Sequence, residues 1–184
     1  VHTSQAVKNF EHIDDGWKVQ MKNDTLIAKE LVISTGSSHK IWDRLEQLGH
    51  NILPPIPSLF TFNVNDPELT KLKGLSLKTH IELYASANDN TCLLSSSGDT
   101  LITHWGFSGP CVLKLSALGA AQLHELNYQC CIKVNWPPHL NSDTINTLLR
   151  EEKLRAARKQ VNKQAQFDLP KRFWSFLIDS TGID

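Results

Sequence analysis

The chain has 184 residues and a mass of 20.7 kDa, and its 19 Lys+Arg balance 19 Asp+Glu to a formal charge of zero. An apolar share of 40% with 21% charged residues excludes a disordered chain, and charge balance removes any general pull toward nucleic acid or an anionic membrane. No run approaches the roughly 18 apolar residues that span a bilayer. Val1-His2-Thr3-Ser4-Gln5 has neither the basic head nor the apolar stretch of a signal peptide and does not begin with Met, so a piece of a longer protein is expected. Cys92, Cys111, Cys130 and Cys131 contain no C-x-x-C spacing, and adjacent Cys130 and Cys131 on one strand would face opposite ways. A reducing cytoplasmic location is the expectation.

In chain order, the first 36 residues read as a strand meander. Trp17 to Met21 alternates apolar and polar after the turn Asp14-Asp15-Gly16, and Asn23-Asp24 makes the next turn. Leu31-Val32-Ile33 is a short continuous apolar run, the pattern of a strand covered on both faces. It runs into the small residues Ser34-Thr35-Gly36-Ser37-Ser38, after which Ile41, Trp42, Leu45 and Leu48 mark one face of a helix ending at Gly49. Pro54-Pro55-Ile56-Pro57 breaks regular structure and predicts a domain boundary.

Beyond that boundary, strands are predicted at Leu59–Val64, Leu75–Tyr84 and Tyr128–Trp136. A hairpin is predicted between Cys92–Leu94 and Thr100–Thr103, with Ser95-Ser96-Ser97-Gly98-Asp99 as its turn. Together they imply an α+β chain with an antiparallel sheet or small barrel. A helix follows from Asn141 or Ser142, carrying six basic and two acidic side chains between Arg150 and Lys163. With no aromatic residue interleaved, that stretch reads as a solvated face rather than an RNA-binding patch. Pro170 opens a last helix whose Phe173, Trp174, Leu177 and Ile178 form an aromatic stripe in need of a partner surface.

The segment Thr103-His104-Trp105-Gly106-Phe107-Ser108-Gly109-Pro110 is the most unusual. It predicts a strand, a glycine-bearing turn and a helix capped by Ser108, whose free N–H groups could hold an anion or a polarised carbonyl. Alternatively, Ser108 merely caps, His104 merely bonds a carbonyl and Trp105 merely fills space; spacing leaves both open. Pro110 stands where the nucleophile elbow G-x-S-x-G needs its last glycine, which argues against a serine hydrolase. His80, His104 and His124 lack metal-ligand spacing, and neither G-x-G-x-x-G nor a P-loop occurs.

Five stretches in this order resemble one family: Leu31 to Ser38, Leu48-Gly49-His50, Pro57-Ser58-Leu59, Leu72 to Ser76, and above all Thr103 to Pro110. It is the bacterial YhiN-type flavoprotein family of NAD(P)/FAD-dependent oxidoreductases, and Leu169 to Trp174 is similar to its helical segment. The resemblance implies that residues 1–57 are the rear part of a discontinuous FAD-binding domain, 58–140 a barrel-like insert and 141–184 the start of a helical insert. It implies Thr35, Gly36 and Ser37 as FAD-binding residues, His104 as a catalytic group, and Trp105, Gly106, Ser108 and Gly109 as the wall of a substrate cavity. NAD(P)H is the implied reductant. The implied partners are the rest of the FAD domain and a small-molecule substrate, not nucleic acid or membrane, and FAD is not expected on this stretch alone. The competing reading is a non-catalytic cap or partner-binding module.

Overall fold

The computed structural model describes residues 1–182, which divide into two compact units, 1–55 and 56 onward. In the first unit, β1 (Val7–Ile13), β2 (Gly16–Met21) and β3 (Thr25–Ala28) form an antiparallel meander. Phe10 and Val19 face each other in register and are the buried residues of this sheet, because period-2 alternation puts both on one face. Gly16 is required where the β1–β2 turn closes: at φ +132°, a Cβ there would collide with the Ala28 carbonyl oxygen and lie 2.9 Å from the Lys29 Cα. Helix α1 (His39–Gln47) is tied to the sheet by Arg44, whose Nε donates to the Phe10 carbonyl at 2.9 Å.

The apolar run Leu31-Val32-Ile33 is not a strand. Val32 is 86% exposed and, among the described residues, no strand lies alongside the run. A continuous apolar run becomes a strand only where neighbours complete its ladder, and β3 pairs with β2 alone.

The second unit is built on a curled, half-barrel antiparallel sheet in the order β4-β7-β6-β5-β8. Its strands are β4 (Phe62–Asn63), β5 (Ser76–Tyr84), β6 (Leu94–Ile102), β7 (Gly106–Ser108) and β8 (Cys131–Asn135). The chain is thus α+β, as its pattern predicts. Strand β5 buries Leu77, Thr79, Ile81 and Leu83 and turns Lys78, His80 and Glu82 outward. Helix α2 (Pro67–Thr70) is capped by Asp66, whose carboxylate accepts from the Glu68 and Leu69 N–H groups. Helices α3 (Pro110–Leu118) and α4 (Ala120–Glu125) follow β7, and α3 buries Cys111, Val112, Leu115 and Ser116.

The hairpin predicted around Ser95–Asp99 does not exist, because Leu94 to Ile102 is one unbroken strand. Its residues pair with β5 from Ser76↔Leu101 to Leu83↔Leu94, and the reversal lies in Ala85–Leu93 instead. The small residues there serve packing rather than turning. Gly98 faces α3, where a Cβ would stand in ordinary contact 3.6 Å from the Cys111 Cβ, and Ser96 and Thr100 are buried on the same side. A polar seam runs beneath α3. Thr79 and Thr100 share a hydroxyl hydrogen bond of 2.7 Å, and the Cys111 thiol donates to the Ser96 carbonyl at 3.3 Å.

Helix α5 (Ser142–Arg155) is capped as expected: the Asn141 side-chain oxygen accepts from the Thr144 N–H at 2.8 Å. It buries no residue completely. Pro170 is the N-cap residue of α6 (Lys171–Thr181) rather than its first helical residue. The aromatic stripe of α6 finds its partner within this unit. Phe173 and Trp174 are buried, the Phe173 ring centre lies 4.4 Å from that of Trp136, and Trp174 Nε1 donates to the Val161 carbonyl. Leu177 and Ile178, the rest of the stripe, are half-buried against the same core. No helix among the described residues is long and apolar enough to cross a membrane.

Candidate functional site

Strand β6 ends at Ile102 and β7 starts at Gly106, so Thr103 to Trp105 form a tight hairpin tip. Thr103 holds it from both sides: its N–H and its hydroxyl each donate to the Gly106 carbonyl, at 2.8 and 3.0 Å. The next strand locks on, with the Val64 N–H donating to the Trp105 carbonyl at 2.8 Å. What projects from the tip is His104 and Trp105, both exposed, with ring centroids 3.8 Å apart and planes tilted by 51°.

The two glycines of the motif are structural. Gly106 has φ +142°, and a Cβ there would collide with the Phe62 oxygen and meet the Val64 nitrogen at 2.6 Å. Gly109 has φ +93° and would meet the Asp99 oxygen at 2.8 Å. Both therefore let strands cross closely, which no side chain would permit. Ser108 does not cap α3. It is a half-buried strand residue opposite Leu101, and Gly109 occupies the cap position without a side-chain hydrogen bond. The reason is that β7 inserts between β4 and β6, so its backbone is engaged in ladder pairing before the helix begins.

His104 and Trp105 open onto a groove of about 1070 Å³. Its lining includes Phe60, Asn63, Asn65, Tyr128, Gln129 and Cys130. Thus the structure joins His104 and Trp105 to one cavity, while Gly106 is buried behind the tip and Ser108 and Gly109 support it from the strand side. Sequence pattern misses Tyr128 as a site residue and makes it the start of a strand. Asn127 and Tyr128 instead adopt φ values of +51° and +59°, uncommon for residues with a side chain, and turn the chain between α4 and β8. The one signal of that turn in the sequence is Asn127, a residue tolerant of the conformation. Burial pushes the Cys130 thiol up from its ordinary value, and neighbouring Cys131 adds to the shift. Cys130 is therefore a neutral thiol near pH 7.

Thr35, Gly36 and Ser37 lie in the first unit and are exposed. Gly36 has φ +60° with open space where a Cβ would stand, and the turn feeds α1, whose first turn carries no acidic residue. A bare glycine turn at a helix N-terminus suits the close approach of a dinucleotide phosphate. These residues fit one edge of such a cradle. Among the described residues, no group of three or more His, Cys, Asp or Glu is placed to hold a metal ion.

Residues 56–184 match the family described as the HI0933-like protein barrel and H2TH domain. A curated relative from Haemophilus influenzae, named ribosomal RNA dihydrouridine synthase, is 32% identical over 124 residues. That alignment covers 60% of this chain and 29% of the relative, so the chain matches less than a third of that protein's length. The half-barrel, its C-terminal helices and the family match over most of the sequence together place this chain in the HI0933-like, YhiN-type family.

Proposed function

We propose that the intact protein is a flavin-dependent oxidoreductase that reduces uridine in RNA, and that this chain supplies the wall of its substrate cavity. Residues 1–57 are assigned to the rear of a discontinuous FAD-binding domain, 58–140 to the barrel-like insert and 141–184 to the start of a helical insert. The flavin association follows from the family, and the RNA substrate from the name of the Haemophilus relative. RNA then replaces the small-molecule substrate expected from the sequence. The observation that carries the reading is the groove at the hairpin tip, with exposed Trp105 beside His104 over a cavity large enough for a nucleotide.

Bound FAD, once reduced by NAD(P)H, would supply a hydride to one carbon of the uracil 5,6 double bond, the other carbon taking a proton. The chain's own residues bind and orient. Trp105 offers a ring face to the base, Thr103 and Gly106 fix the tip, and His104 presents a ring nitrogen able to hold or pass a proton at the cavity mouth. Thr35, Gly36 and Ser37 are the residues of this chain that would approach the dinucleotide.

The test is to express the full-length protein, look for flavin absorbance, and measure dihydrouridine in RNA by nucleoside mass spectrometry. We expect a yellow protein that raises dihydrouridine when given NAD(P)H, and His104→Ala to slow that rate with folding preserved. A colourless protein that takes up no FAD would overturn the enzyme reading. An unchanged rate in His104→Ala would return His104 to a structural role.

A further inference from the structure

We infer that the groove at the hairpin tip is a stacking site for unpaired RNA, in which Trp105 and Tyr128 receive base faces and neighbouring amides receive base edges. The identity of the ligand as RNA rests on the proposed function; the stacking mode rests on the groove. Trp105 is 50% exposed and Tyr128 41% exposed, a large aromatic area for one stretch of surface. The Tyr128 ring is held in place beforehand. Tyr128 sits at its left-handed corner with its N–H on the Leu123 carbonyl, its ring 5.8 Å from Phe60 and its hydroxyl 3.1 Å from His124 Nδ1. The Trp105 backbone is held by its N–H on the Thr103 hydroxyl, and its ring lies beside that of His104. Ordered rings lose little freedom on binding.

The charge pattern says which part of a nucleotide belongs here. Among the described residues no Lys or Arg lines the groove, and of its carboxylate, Asp66, one oxygen caps α2. Phosphates need cations, so the backbone of the ligand does not run along this wall. Asn63, Asn65 and Gln129 carry amides with no side-chain hydrogen bond among the described residues. Each can donate and accept, as the imide edge of a uracil requires. Neutral amides beside exposed rings favour unstacked bases, whereas a duplex keeps its base faces covered.

The experiment uses the full-length protein with its flavin and a labelled oligouridylate of about eight nucleotides, followed by fluorescence anisotropy. Trp105→Ala and Tyr128→Ala are each expected to weaken binding about 5- to 100-fold. That factor should stay constant from about 50 to about 200 mM salt, because ring contacts are not screened as phosphate contacts are. Trp105→Phe should retain most of the affinity, which separates loss of a stacking face from a folding defect. Leu154→Ala, on the far exposed part of α5, should bind as the parent does. Unchanged binding in both ring variants, an equal loss on a duplex of matching length, or no oligouridylate binding by the parent would each overturn the inference. Dihydrouridine measured in the same preparations separates the two proposals. Its formation with ring variants that bind normally sinks the stacking site alone, and its absence with ring-dependent binding sinks the reductase reading alone.

Discussion

Replacing Gly106 by Ala tests whether the glycine of the hairpin tip is there for packing. At φ +142° an alanine is strained by about 1–2 kcal/mol before any contact is considered. Its Cβ would also collide with the Phe62 oxygen and stand 2.6 Å from the Val64 nitrogen, where ordinary contact begins at 3.4 Å. Both neighbours are backbone, so β4 must retreat by about 1 Å, enough to break the 2.8 Å bond from Val64 to Trp105 and the pairing of Phe62 with Phe107. Two or three such bonds at about 1 kcal/mol each bring the total to roughly 3–5 kcal/mol. Gly74→Ala is the matched control. It has φ +90° with nothing within 4 Å, so it carries the strain alone, about 1–2 kcal/mol. Denaturant unfolding measures the difference, and hydrogen exchange over residues 60–64 shows whether β4 is what lets go. If the two variants lose equal stability, the close crossing of β4 and β7 is not what demands glycine.

Phe173→Ala should cost about 3–5 kcal/mol by denaturant unfolding, since the ring is fully buried against Trp136 and Phe176; a cost below about 1 kcal/mol would contradict a core role for α6. The hydrogen bond from Tyr84 to Glu82, aided by desolvation and the Glu82 charge, pushes the Tyr84 phenol up to about 12. The folded chain therefore holds this proton more tightly than the unfolded one. The resulting stability is fully present below about pH 10, the ordinary value, and is lost as pH rises through the folded value. Glu82→Gln should bring the phenolate absorbance transition back toward pH 10 in a Tyr128→Phe background. Exposed Cys92 should react with iodoacetamide near pH 7.5 well before Cys130, whose thiol is shifted up by burial; peptide mass mapping reads the order, and equal rates would refute it.

Patterns carried by a residue and its immediate neighbours are legible from sequence. The alternation from Trp17 to Met21, the β5 stripe, the Asn141 cap and the helix with Phe173 all stand as read, because each depends on local periodicity or on a side chain beside its own backbone. Partnership is not legible. Ser95 to Asp99 carries every turn signal, yet β5 lies along its whole length, so pairing overrides propensity. Leu31 to Ile33 fails in the opposite sense, with strand composition and no neighbour. At the candidate site, an unusual motif marks His104 and Trp105, whereas Tyr128 escapes notice because its place on the groove comes from a fold that returns it beside Phe60.

The polar seam beneath α3 bears on how the half-barrel selects one arrangement among many. An interface of leucines alone would let a short helix slide or rotate with little penalty, since greasy contacts lack direction. Cys111 replaces part of that freedom with direction: its thiol donates to the Ser96 carbonyl at 3.3 Å and lies 3.8 Å from the Thr79 hydroxyl, contacts that a shift of a few ångströms would break. The seam thereby acts as a key for docking. It indexes α3, and with it the strand end that carries the tip, to a single register of the sheet.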